Sequence, residues 1–489
     1  MKKKLKKKYL LGVTILFCVT SLFAQSPDTL WTKTFGGLEN DEGFAVQQTS
    51  DGGYIITGYT ESFGVGPRNV YLIKTYANGN TQWTRTYGGT DTDCGFSVQQ
   101  SSDGGYIIAG WTSSFGAGSY DVYLIKTNFN GDTLWTKTFG WDYDEKSYSV
   151  QQTNDGGYII VGYTGMPPQR DIYLIKTNAI GNRQWARTFQ VGYADDVGYS
   201  VQQTFDGGYI ISGYTGNQVN HDVYLVKTDT NGYVIWSNTV GGSNDDQSFS
   251  VQQTYDSGYI ITGFTKSFGA GEEDVYLIKT NANGDTLWTK TYGGAAKDIG
   301  RCVQQTIDGG YIIIGETWSF GAGENDFYLI RTNTNGNTLW TKTFGGSGQD
   351  GGYSVRQTSD QGYIITGTTR CFGPGNASVW LIKTEPDIGI EEKEPTLKDN
   401  FISGIEPNPF IDNTTIRYEL PKSTSVNISI YNLLGEEIKT FVNRKQSKSS
   451  YTVIWDGKDN ANRKVPNGIY FVTLHARDHS STIRLIKIR

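Results

Sequence analysis

One phrase returns seven times along the chain and constrains its fold more than any other feature. The full unit reads TLWTKTFGG, an acidic loop, GYSVQQTSDGGYIITGYT, then DVYLIKTNANG. Its tryptophans fall at Trp31, Trp83, Trp135, Trp185, Trp236, Trp288 and Trp340, about fifty residues apart. A fixed period near 40–50 residues built from short β-type segments is the mark of a radial or stacked β array.

Each unit offers four strand candidates. In the second they are Phe96–Ser101, Tyr106–Thr112, Val122–Thr127 and Thr133–Phe139. They are rich in Val, Ile, Tyr and Thr, which suit a pleated, half-buried surface. Between them lie Ser102-Asp103-Gly104-Gly105 and Asn130-Gly131-Asp132, whose Asp-Gly and Asn-Gly pairs supply the positive φ of tight turns. Four antiparallel strands in a meander make one blade. The Trp, VQQ, GYII and YLIKT segments each occur seven times, but the first Trp segment precedes any blade and none follows Thr384. Leu30–Phe35 is therefore expected to supply the outer strand of the last blade, removing an open sheet edge. The prediction is an all-β chain: a seven-bladed β-propeller over 29–384 with velcro closure by the N-terminal strand, VQQ innermost and Trp outermost.

The segment DVYLIKTNANGDTLW resembles the tryptophan-docking motif of quinoprotein-like propellers, in which the Trp after a Gly turn packs between blades. The chain has no vicinal cysteine pair, so the resemblance implies the fold and no quinone.

The two ends are of different kinds. Met1–Lys8 is lysine-rich, Tyr9–Phe23 is apolar and Ala24 is small. Residues 1–24 thus read as a signal peptide, too short in its apolar part for a comfortable span. Phe17 before Cys18 is too bulky for a lipidation site. No later segment is apolar enough to span, so the expectation is an exported chain, secreted or held at the outer cell surface. Cys94, Cys302 and Cys371 share no repeat position and imply neither disulfide framework nor metal motif. A net charge of -6 argues against nucleic acid, which needs a basic footprint.

Residues 385–400 break the repeat with the charged run Glu391-Glu392-Lys393-Glu394-Pro395 and read as a linker. Residues 401–489 then carry Glu406-Pro407-Asn408-Pro409-Phe410, an IYNLLGEEI strand and turn, Trp455-Asp456-Gly457-Lys458-Asp459, a PNGIYF strand and a basic final strand. This set resembles the C-terminal sorting domain of type IX secretion cargo and the Ig-like domain of flagellar hook-capping proteins. The resemblance implies a small Ig-like β-sandwich of seven strands and, on the first alternative, the type IX secretion machinery as partner. No cofactor is expected. A Ca²⁺ reading of Asp456, Asp459 and Asn460 competes with ordinary turn chemistry.

Alternate connections in a blade lie on opposite faces. The SDGG and NG turns share one, and the loops that vary between repeats share the other, where binding normally resides. Ten residues after each Trp stands an acid: Asp41, Asp93, Glu145, Asp195, Asp246, Asp298 and Asp350. Such a ring would bind a cation or repel anions at the channel mouth; alternatively each acid caps backbone N–H groups where its loop enters the inner strand. Blades three and four break the symmetry with Trp141, Tyr143 and Tyr193 beside loops 166–170 and 217–221. These aromatics would stack on a sugar or peptide, or fill space left by shortened loops. No HExxH or GxSxG occurs, and the repeats hold a single histidine, His221. The functional expectation is a non-enzymatic surface or extracellular binding module for glycan or protein. The alternatives are a carbohydrate-active enzyme using two rim carboxylates and a structural surface-layer component.

Overall fold

The computed structural model describes residues 26–192, 194–217, 220–387, 402–420, 422–432, 436–476 and 479–488. The chain divides between Ile390 and Glu391 into two compact units. The expected signal peptide and most of the expected linker lie outside the described residues, as does Tyr193. No helix among the described residues is long and apolar enough to cross a membrane.

The first unit is a seven-bladed propeller of four-stranded antiparallel sheets. In the second blade the strands are Asp93–Gln100, Tyr106–Thr112, Asp121–Thr127 and Thr133–Phe139. The inner strand starts three residues before the expected Phe96, because pairing continues past a bulge to Asp93 opposite Thr112. Thr29–Phe35 closes the ring beside Ser378–Thr384, with Phe35 opposite Val379.

The repeated phrase encodes joints between blades. Each Trp of an outer strand meets the tyrosine that opens the second strand of the next blade: Trp31–Tyr54 at 5.8 Å, Trp83–Tyr106 at 5.9 Å. The Gly of the NG turn lies under the same indole. At Gly131, φ is +80° and a Cβ would stand 2.7 Å from the Trp83 ring, so both backbone and packing demand glycine. Core clusters likewise draw on two blades, as Ile55, Val70 and Leu72 pack with Val98, Tyr106 and Ile108.

The two glutamines of VQQ stitch neighbouring inner strands reciprocally. The Gln100 N–H donates to Gln47 Oε1 at 2.7 Å, while Gln100 Oε1 accepts from the Ser50 N–H at 2.8 Å. On the turn face, each SDGG aspartate holds a buried cation of the third strand, as Asp155 holds Lys176 at 2.8 Å. A buried ammonium without such a partner would cost several kcal/mol.

The second unit is an Ig-like domain of two sheets. One contains Ile402–Glu406, Thr414–Leu420 and Ser449–Trp455; the other contains Thr424–Asn432, Glu437–Gln446, Gly468–Ala476 and His479–Lys487. Trp455 and Phe410 are buried at its centre, 5.2 Å apart. Asp456 pairs with Lys439 and Lys458, both at 3.1 Å. Asp459 caps the N–H groups of Ala461 and Arg463, and Asn460 Oδ1 accepts from the Thr440 N–H. Their oxygens serve five different partners, which matches turn chemistry and leaves these three side chains not converging as Ca²⁺ ligands.

Candidate functional site

The rim acids open the inner strands, with their carboxylates turned into the loops and not exposed. Asp41, Asp93, Glu145, Asp246, Asp298 and Asp350 are fully buried. Each accepts the N–H of the residue four before it: Gly37 to Asp41 at 2.7 Å, Trp141 to Glu145 at 2.9 Å, Gly346 to Asp350 at 2.8 Å. Ser62, Ser114 and Ser319 hydroxyls reach the same oxygens of Asp41, Asp93 and Asp298 from the second variable loop. These carboxylates staple two loops together. Burial pushes the Glu145 carboxyl up, against the bonds from Thr164 and Trp141.

The fourth blade corrects the ten-residue spacing. Its loop is one residue longer, and the staple is Asp196, which accepts the Val191 N–H at 2.8 Å. Asp195 instead binds Arg170, whose Nε lies 2.8 Å from Oδ1. Burial opposes the charge of Asp195, but the Arg170 guanidinium outweighs it and holds the carboxyl below its usual range. Arg170 also donates to the Tyr214 hydroxyl at 2.8 Å and lies 5.0 Å from the Tyr163 ring centre.

Trp141 packs on Tyr173 at 5.4 Å. In most blades this place is taken by the phenylalanine of the SFG loop, as in Phe63–Tyr71 at 5.9 Å and Phe268–Tyr276 at 5.8 Å. The third blade lacks that loop, and Trp141, from the loop before its inner strand, takes the place. Tyr143 is exposed.

Sequence reasoning missed two features of the channel. The first is a closed side-chain layer. Phe44, Phe96, Tyr148, Tyr199, Phe249, Arg301 and Tyr353 occupy one position in successive inner strands, where the ladder register slips. This bulge re-aims a side chain that strict alternation would place elsewhere. Phe44 stacks on Phe96 at 4.6 Å, Tyr148 meets Tyr199 at 4.8 Å, and Tyr353 returns to Phe44 at 5.2 Å. Arg301 completes the circuit 4.7 Å from the Phe249 centre and 5.7 Å from Tyr353, neutralised by Glu316 at 2.9 Å. The signal was present as F-A-VQQ, F-S-VQQ and Y-S-VQQ.

The second is a collar above this layer, on the variable face. Tyr59, Trp111, Tyr163, Tyr214 and Phe264 share one second-strand position and are mostly buried. Cations sit on most of them: Arg68 at 4.5 Å from Tyr59, Lys146 at 4.3 Å from Trp111 and 3.8 Å from Tyr120, and Lys266 at 5.9 Å from Phe264. Lys297 lies 5.5 Å from Trp318, which is 37% exposed. Acids are interleaved, with Glu61 2.7 Å from Arg68 and Asp245 3.0 Å from His221. The collar changes from blade to blade while the scaffold beneath repeats.

Residues 411–480 match the family model of the FlgD Ig-like domain. No curated protein matches the chain. Among solved structures it is similar to PorZ, described as an essential bacterial surface component of the type-IX secretion system of Porphyromonas gingivalis. The two are 12% identical with a TM-score of 0.43, over 93% of this chain and 60% of that one, so the present chain spans less than two thirds of that length. Chaetomium thermophilum Sqt1 is 11% identical with a TM-score of 0.44, over 73% of this chain and 98% of that one. The Neurospora crassa Pan2 WD40 domain is 9% identical with a TM-score of 0.45, over 71% and 89%. At such identities the likeness concerns fold alone. The chain is a seven-bladed propeller followed by an Ig-like tail.

Proposed function

We propose that the protein is an exported binding module that presents its variable face to a glycan or a protein. The observation that carries this reading is the collar of cation–aromatic pairs set on an otherwise repeating scaffold. Guanidinium and ammonium groups parked over rings, with acids between them, offer donors, acceptors and stacking surface in one non-repeating pattern. The rim carboxylates are engaged as loop staples, which favours binding over glycoside hydrolysis. The test is a glycan array together with affinity capture from a surface extract, using the full chain. Binding without product release is the expected result, weakened at least tenfold by Lys146→Ala or Trp318→Ala while the melting temperature is kept. Turnover, or binding untouched by both substitutions, refutes the reading.

The same proposal assigns the tail to type IX secretion. Its support is the motif set shared with sorting domains and the Ig-like sandwich those motifs build. Deleting residues 401–489 should leave the propeller in the periplasm, measured by fractionation and immunoblot. Undiminished secretion sinks this assignment.

A further inference from the structure

Between the aromatic layer and the turn face lies a chamber of about 250 Å³, lined by the Val-Gln portions of the inner strands. Four of its serines, Ser97, Ser149, Ser200 and Ser250, are engaged, each accepting a valine N–H of the next blade. Gln47, Gln99, Gln151, Gln202, Gln252 and Gln304 occupy one position in six blades, and Arg356 takes it in the seventh. Each glutamine Oε1 accepts the backbone N–H of the second glutamine in the next blade, at 2.7, 2.6, 2.5, 2.6, 2.6 and 2.7 Å in that order.

These bonds fix which end of every amide faces where. An N–H donor requires the oxygen, so the amide cannot be turned over without setting donor against donor. The six Nε2 groups are left to the chamber, and among the described residues none has a protein partner. Among the described residues Arg356 has no carboxylate partner either. Its guanidinium donates to the Val355 carbonyl at 2.8 Å and to Cys302 Sγ at 3.0 Å, and its remaining N–H groups are unengaged. The carboxylates of the turn face do not neutralise it, since Asp51, Asp103, Asp155, Asp206, Asp256, Asp308 and Asp360 are each held by a lysine or arginine of their own blade.

We infer that this chamber is a binding site for a small oxyanion such as phosphate, sulfate or a carboxylate. Amide donors converge around the axis, their orientation fixed by the blade-to-blade stitching. The one guanidinium supplies the opposite charge, and its fork suits two oxygens of one anion. The layer of Phe44, Phe96 and their counterparts closes the far end, so the anion enters from the turn face. This site is separate from the collar and stands or falls without it.

Calorimetric titration of the full chain with inorganic phosphate, sulfate and acetate in low-salt buffer tests the inference. One anion should bind per chain. Arg356→Gln restores the residue of the other six blades and preserves the fold while removing the charge, so it should weaken binding at least fivefold. Gln202→Glu keeps the acceptor for the Gln253 N–H but replaces a donor by a negative charge, and should abolish binding. Thermal melts establish that both variants are folded. No saturable heat with any of the three anions overturns the site, as does Arg356→Gln binding as tightly as the parent.

Discussion

At the scale of single residues, the SDGG aspartates show how charge is tied to stability. Burial would raise the Asp155 carboxyl, but bonds from Lys176, Thr153 and Gly157 lower it to about 2. An unfolded aspartate titrates near ~3.9. A depressed folded value means stability that is present above the unfolded value and lost as pH falls toward the folded one. Melting temperature should therefore drop between about pH 4 and pH 2, and Asp155→Asn should flatten that drop while lowering stability near neutrality; a pH series of thermal melts checks both. Gly131→Ala should cost about 1–3 kcal/mol, through left-handed strain and collision with the Trp83 ring, measured by urea unfolding. The rim acids show where residue-level reading stops. Their recurrence was plain, and capping was one of two readings it allowed. Asp195 was misassigned, since constant spacing from Trp185 cannot register a loop longer by one residue, and the staple passed to Asp196.

At the scale of elements, strand identity was legible because turn chemistry and β-branched runs repeat in phase. The channel lining was not. Period-two alternation assigns faces, and the bulge at Phe44 and its counterparts breaks that alternation in every inner strand. The glycine facing each bulge belongs to the same device, since a Cβ at Gly58 would collide with the Glu42 carbonyl. Gly58→Val should therefore disrupt the first blade, by about 3 kcal/mol or more, and shift the urea midpoint accordingly. The closing strand carries a different risk. Removing residues 26–35 bares the edge Ser378–Thr384 and the face that Trp31 covers. An unpaired edge is a template for association, so the truncated chain should elute as oligomers in size-exclusion chromatography while the intact chain does not.

At the scale of the whole molecule, the division into two compact units, each with its own buried core, predicts independent folding. Residues 26–387 expressed alone should melt at the temperature of the propeller transition in the full chain, followed by calorimetry; a downward shift of more than a few degrees contradicts independence. The repeat made the architecture readable because the same joints must recur at every blade boundary. The collar was less readable, because it is made of side chains contributed once each.

Pairing Thr29 with Thr384 also sets an order of events. The strand that begins the propeller waits for a partner made more than three hundred residues later. Bringing such distant ends together is slow and entropically costly. Until the final GYII and WLIKT segments have been made, the ring stays unlocked. Closure of the ring is thus the last pairing the propeller can make.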